Sequence, residues 1–145
     1  MSRIVWGHDA QVAAWVAKQL DESDFGNCRA AAIVAEGNLV GGIVFNSYRP
    51  LRHGNDMHLV IATISPKWCS RGVLREIFDY VFNRAGCVRA TAITARGNKK
   101  ARKMLEGLGF KLEGTHPRAF DGRQAAVSYG MMKEHCRWLG DVKHG

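Results

Sequence analysis

HLVIATISPKWCSRGVLREIFDYVF, residues 58–82, changes its hydrophobic period at its middle. His58 to Ile64 is an apolar, β-branched run of the length of one buried strand. Pro66 then ends the ladder, because it has no N–H to donate. Beyond it Val73, Leu74, Ile77, Phe78, Val81 and Phe82 recur at helical spacing, with Arg75, Glu76 and Asp79 between them. The stretch therefore predicts a strand, a tight turn holding Gly72, and an amphipathic helix. That geometry aims free backbone N–H groups and the positive end of a helix dipole at one point, which suits a phosphate. Many such turns bind nothing, so the turn does not assign a function by itself.

Working outward, Ser2–Trp6 reads as a short first strand, and Asp9 as the N-cap of a helix over Ala10–Leu20 with an apolar stripe of Val12, Ala13, Val16, Ala17 and Leu20. Asp21, Glu22 and Asp24 follow as an acidic cluster, either a solvated helix exit or a patch that receives a basic substrate. Ala30–Ala35 and Leu39–Tyr48 are two strands around the hairpin turn Glu36-Gly37-Asn38. Gly41-Gly42 inside the second marks a bulge or a close approach of another group. Residues 49–55 read as a polar, exposed linker. Downstream, Cys87–Ala95 is a strand and Asn98 caps a helix over Lys99–Leu108 that Gly109 stops. Phe110–Glu113 is a short strand, 114–124 a loop, Gln124–Lys133 the last strand and Glu134–Leu139 a terminal helical turn. The order β-α-β-β-β-α-β-α-β-β predicts one α/β domain over 1–145, a mixed sheet with helices against it.

Composition narrows the class. No apolar run approaches the ~20 residues of a membrane span, and the N-terminus lacks the apolar core of a signal peptide, so no membrane partner is expected. Cys28, Cys69, Cys87 and Cys136 are widely spaced, which indicates neither a zinc knuckle nor a disulfide framework and fits a reducing cytoplasm. Cys69, near a helix N-terminus, could carry a lowered thiol pKa. The net charge of +8 favours polyanionic partners such as a nucleotide cofactor, nucleic acid or acidic protein surfaces.

Residues 94–114, TARGNKKARKMLEGLGFKLEG, carry something more specific. An Asn opening a helix, an Ala three residues on, and a Leu-Gly-Phe closing it into a strand that ends Glu-Gly resemble the C-terminal signature of the GNAT N-acetyltransferases. Glu36-Gly37-Asn38-Leu39-Val40-Gly41-Gly42 resembles that superfamily's second hairpin, and residues 58–82 its acetyl-CoA motif. The likeness extends over roughly residues 2–136 and is greatest to the ribosomal-protein N-acetyltransferase-like branch and to small phage-encoded members, which would place the protein in a host cytoplasm. It implies a sheet splayed at the cofactor strand with helices on both faces.

The resemblance also implies a site. Pantetheine would pair with the backbone of Ile61, Ala62, Thr63 and Ile64, and the pyrophosphate would sit on Ser70, Arg71, Gly72, Val73 and Leu74. Here the family's turn, Gln/Arg-x-x-Gly-x-Gly/Ala, is altered: aligned on Arg71-Gly72, Cys69 replaces the first polar residue and Leu74 the last small one. A register from Lys67 through Ser70 to Gly72 fits as well. Asn98 would hydrogen-bond the cofactor, with Ala101 and Arg102 flanking it. The family's Tyr acid falls on Leu105, which leaves Tyr129 or Ser128 as substitutes, or an unassisted thiolate. His58 lies where one branch keeps a glutamate base, and histidine as a residue type, with an unperturbed pKa of ~6.5, suits that task. Asp56, on the same strand face, is the next candidate.

The expected reaction moves acetyl from acetyl-CoA to a primary amine, with a protein N-terminus or lysine as the leading acceptor. Two other readings stand beside it. One is a nucleic-acid-directed enzyme or binder, suggested by the charge and by Trp6, Trp15, Trp68 and Trp138; the other is a non-catalytic acyl-CoA-binding module, suggested by the altered turn and the missing Tyr. Nothing in the sequence fixes an oligomeric state, a homodimer included, and no metal ligand set is visible.

Overall fold

The computed structural model of the chain describes residues 1–139. Seven strands form a single sheet in the order β1-β2-β3-β4-β5-β7-β6. The strands are β1 (Ser2–Val5), β2 (Arg29–Ala35), β3 (Asn38–Leu51), β4 (Gly54–Thr63), β5 (Cys87–Ala95), β6 (Lys111–His116) and β7 (Ala126–Met132). The helices are α1 (Asp9–Leu20), α2 (Arg71–Asp79) and α3 (Lys99–Leu108), in the element order read from the sequence. β4 and β5 run parallel and every other neighbouring pair antiparallel, so the sheet is mixed.

Strand alternation sorts the side chains onto two faces. Ile33, Ile43, Leu59, Ala92 and Tyr129 join Val73, Ile77 and Phe78 of α2 and Leu105 and Leu108 of α3 in the larger core. On the opposite face Ala30, Ala32, Val44 and Ala62 meet Val12 and Val16 of α1 in a smaller one. Helices thus cover both faces, but α1 covers only the β2–β4 half of its side.

The paired glycines are a close approach. A Cβ on Gly42 would lie 2.8 Å from Val16 Cγ2, and one on Gly41 3.2 Å from the Ala62 carbonyl oxygen. The register also slips between Ile33 and Val34, opposite the Leu39–Gly41 stretch, so the bulge is present as well.

Three expectations change. Residues 49–55 are no linker: β3 continues to Leu51 and turns into β4 at Gly54, pairing Arg49 with Asp56 and Pro50 with Asn55. Ser47, in the left-handed region at φ 52°, kinks the strand and hides the alternation that would have betrayed it. Asp9 does not cap α1, whose N-cap is His8; its carboxylate accepts from the Ala30 N–H at 3.0 Å and faces Arg29 at 3.6 Å, pinning the helix to β2. The last two strands are shifted, with β6 running on to His116 and β7 confined to Ala126–Met132. Asn98 and Gly109 bracket α3 as read: Asn98 Oδ1 accepts from the Ala101 N–H at 3.1 Å, and Gly109 takes φ 108°.

Cys87, at the start of β5, is 1% exposed, and burial together with the nearby Asp56 charge pushes its thiol up to about 11. A neutral thiol favoured in the folded state stabilises below the unfolded value of ~8.5, and that contribution is lost as pH climbs through 11. Melting temperature should therefore fall as pH rises above 9 toward 11, and Cys87→Ala should flatten that alkaline limb; equal slopes in both proteins would disprove the assignment.

Candidate active site

The β4–β5 ladder is short. It pairs Asn55 with Cys87, Asp56 with Arg89, Met57 with Ala90 and His58 with Thr91, and there it stops. β5 goes on to Ala95 against β7, and β4 goes on to Thr63 against β3. Beyond His58 the two strands part, and the β4 backbone groups that point toward β5 lose their ladder partners.

The gap opens into a cleft with two compartments. One, of ≈ 310 Å³, lies between Leu59–Ile61 of β4 and Ala92–Thr94 of β5, with Leu105 of α3 in its wall. The other, of ≈ 580 Å³, follows Ile61 to Pro66 and Trp68 on one side and Lys100 on the other. Leu20, Ile61, Asn98, Ala101 and Met104 border both, so the compartments are continuous. Glu22, Phe25, Ala119 and Phe120 border the first, and among the described residues Glu22 is the one charged side chain lining it.

At the far end, Pro66–Trp68 form a short 3₁₀ turn before α2. Ser70 is the N-cap of α2: its Oγ accepts from the Val73 N–H at 3.3 Å and is 2.7 Å from Ser2 Oγ. The first intrahelical bond is Leu74 N–H to the Ser70 carbonyl at 3.0 Å, so Arg71 and Gly72 precede any helical acceptor and present free donors. A Cβ on Gly72 would touch nothing within 4 Å, which leaves open space over those donors. Val73 and Leu74 have their side chains in the core, at 1% and 2% exposure, and both their N–H groups are taken by Ser70, so the free donors of the turn are those of Arg71 and Gly72. The small residue that Leu74 displaces is thus replaced inward, away from the turn's open side.

The predicted residues divide by position. Ile61, Ala62, Thr63, Ile64, Asn98 and Ala101 line the cleft. Arg102 does not: its Nε donates to the Tyr129 hydroxyl at 2.9 Å and an Nη to the Arg96 carbonyl at 2.9 Å. Tyr129 is fully buried under α3, and its hydroxyl also donates to Glu106 at 2.9 Å. Acid catalysis by Tyr129 would require that bridge to break. Cys69 is corrected outright, because it precedes the cap of α2 and desolvation raises its thiol pKa.

His58, Asp56 and Ser128 share the sheet face that α1 leaves open. His58 sits beside Thr91, and Ser128 beside Ile93 two residues further along β5. The half-buried His58 ring has no hydrogen-bond partner among the described residues, while across the pair Asn46 Oδ1 is buried and unpartnered. Asp56 is engaged: it accepts from Thr91 Oγ1 at 3.0 Å and faces Arg89 Nε at 3.7 Å, while Arg89 also pairs with Glu113. Sequence reasoning missed His116, whose Nε2 lies 3.0 Å from Ser128 Oγ; it falls in the segment read as loop, so no strand register linked the two.

No protein-family model matches the chain, and no curated protein matches it in sequence. Solved structures do match. A probable acetyltransferase aligns over 83% of this chain and 67% of its own, at TM-score 0.64 and 21% identity. A mutant form of the spermidine/spermine N-acetyltransferase SpeG from Vibrio cholerae aligns over 92% and 96%, at TM-score 0.70 and 16% identity. The fold is that of the GNAT acetyltransferases. Ribosomal-protein-S5-alanine acetyltransferase from Vibrio fischeri shares this GNAT likeness, over 94% of this chain and 95% of its own, at TM-score 0.70 and 12% identity. Among the described residues no helix is long and apolar enough to cross a membrane, and no group of three metal-ligating side chains converges.

Proposed function

We propose that this GNAT-fold chain moves an acetyl group from acetyl-CoA to a primary amine by direct attack. The observation that carries the reading is the ladder break after His58 and Thr91, which opens a continuous cleft from the parted strands to the Pro66–Trp68 turn that precedes α2. The unpaired β4 edge suits an extended pantetheine amide chain, the free donors at Arg71 and Gly72 a pyrophosphate, and the Asn98 amide N–H a cofactor carbonyl or hydroxyl. In the gap, the amine nitrogen bonds to the thioester carbon and the C–S bond breaks. A β4 backbone N–H steadies the developing oxyanion, and His58 takes the proton that the new amide nitrogen sheds. The wall at Leu105 offers no hydroxyl, so the thiolate leaves without an acid from α3.

A protein N-terminus or lysine is the leading acceptor, from the resemblance to the ribosomal-protein branch. A polyamine is the second reading, favoured by Glu22 standing as the charged group at a mouth flanked by Phe25 and Phe120, and supported by the spermidine acetyltransferase among the structural neighbours.

The test is thermal unfolding with and without acetyl-CoA. At 100-fold over Kd, binding should add ~2.7 kcal/mol, several degrees for a domain of this size. Asn98→Ala should remove much of that shift, beyond the ~1 kcal/mol its lost cap costs the free protein. No shift at millimolar acetyl-CoA would sink the reading. Once binding is seen, acetylation of spermidine against peptide amines decides the acceptor.

A further inference from the structure

A second pocket lies on the other side of the Asn46–His58 pair and shares no lining residue with the cleft. It is bounded by the start of β2, the kink in β3 and the π-helical turn Tyr80–Arg84 that follows α2, with a volume of ≈ 510 Å³. Arg29 and Arg84 both line it, although they are 55 positions apart in sequence. Both guanidiniums are fixed by the same two rings. Arg29 Cζ lies 5.8 Å from the Trp6 centroid and 5.5 Å from that of Tyr80; for Arg84 the distances are 5.8 and 5.6 Å. The rings are themselves locked, Trp6 against Phe45 at 5.7 Å and Tyr80 against Phe45 at 4.8 Å.

This arrangement lacks an internal explanation. Cation–π stacking orients a guanidinium but leaves its N–H edge free for an acceptor. Arg29 has a partial partner in Asp9, whose other oxygen serves the Ala30 N–H. Arg84 has no carboxylate within ion-pair distance among the described residues, and no carboxylate lines the pocket. Besides the arginines it is lined by the polar Asn27, Asn46 and Ser47, by Tyr48 and Tyr80, and by the apolar Cys28, Phe45, Met57 and Ala85. Two like charges held over one aromatic pair, with no carboxylate in the lining, leave a site short of an anion.

We propose that this pocket is a phosphate site, which holds a nucleotide phosphate between Arg29 and Arg84 with the attached base against Tyr48. A phosphate is the anion whose oxygens accept two guanidinium forks at once. Tyr48 lines the same pocket and leaves 51% of its surface exposed, a free ring face of the kind on which bases stack. Beyond it the β3–β4 turn adds Arg49, Arg52 and His53, all exposed, so the positive surface continues where a longer polyanion would run. A free nucleotide and a nucleotide within a single strand share the phosphate chemistry, and the test separates them.

The test compares Arg84→Gln with Arg75→Gln, a control on the exposed face of α2 outside the pocket, and with Asn98→Ala in the acetyl-CoA cleft. The probes are AMP and a labelled single-stranded oligouridine of about 12 nucleotides. Loss of one charge-assisted fork should weaken the probe that uses the site about tenfold in Arg84→Gln, while Arg75→Gln and Asn98→Ala stay within about twofold of wild type. A loss confined to AMP assigns a free nucleotide. A loss with the strand, together with a fall of about 1 in the slope of log K against log salt, assigns nucleic acid. Arg29→Gln, melted alongside to confirm folding, should repeat the pattern. If neither arginine variant differs from Arg75→Gln with either probe, the proposal is overturned, and the acetyl-CoA reading is untouched because the cleft shares no lining residue with this pocket.

Discussion

His58→Ala is expected to lower kcat for acetyl transfer about 100-fold while leaving acetyl-CoA affinity within about twofold, a step within the range of a lost general base. His58 is the last residue of β4 that pairs with β5, so it stands where the two strands diverge, next to Leu59, which lines the cleft. It lies on the face that α1 leaves uncovered, half-buried, with no protein hydrogen bond to restrain or neutralise it among the described residues. Asp56 stands on the same face but is held by Thr91 and Arg89, so Asp56→Asn should cost stability before it costs turnover. Single-turnover rates across pH 6–9 check the claim: the chemical step should be about 100-fold slower in His58→Ala than in wild type, with acetyl-CoA affinity kept. Unchanged turnover in the variant at every pH would leave His58 a strand residue and nothing more.

What could be read beforehand followed from period and punctuation. The strand Cys87–Ala95 and the helix Lys99–Leu108 match residue for residue, because Gly86 and Asn98-to-Gly109 mark their ends chemically. The splay was implied by resemblance, and the pairing register makes it physical: a ladder that stops at His58. What could not be read depended on contacts between distant residues. Asp9 has the chemistry of a cap, and only the folded chain shows the Ala30 N–H competing for it. By resemblance Arg102 flanks the cofactor beside Asn98, yet Tyr129, 27 positions away, draws its guanidinium back toward the sheet. The His116–Ser128 pair was invisible for the same reason, since it depends on the β6–β7 register, which bulges between Leu112 and Gly114. Trp6 was legible as an aromatic and no further; its two arginines come from β2 and from the π-helical turn Tyr80–Arg84 that follows α2.

Gly42→Val should destabilise the fold by about 3 kcal/mol, or prevent folding, because α1 rests on a floor with no room for a side chain there. The floor is built of small residues: Gly42 pairs with Ala32 on one side and Ala62 on the other, and Ala30 lies two places along. On it sit Val12 and Val16, the latter fully buried. A Cβ at position 42 would lie 2.8 Å from Val16 Cγ2 and 3.3 Å from both Val12 Cγ1 and Trp15 Cε3. Valine side chains in a helix have one favoured rotamer, so Val12 and Val16 cannot turn aside; the helix itself must lift. Lifting α1 also moves Leu20 and the Glu22–Phe25 segment that borders the cleft, so any folded fraction should show a raised KM for the amine. Gly107→Ala supplies the contrast. Its added Cβ meets nothing within 4 Å on α3, and removing a helical glycine should stabilise by about 0.5–1 kcal/mol. Thermal melts of the two variants should therefore move in opposite directions, by roughly 10 °C downward for the first and a few degrees upward for the second. A Gly42→Val protein that melts with wild type would mean that α1 does not press on β3, and the placement of the cleft mouth would fall with it.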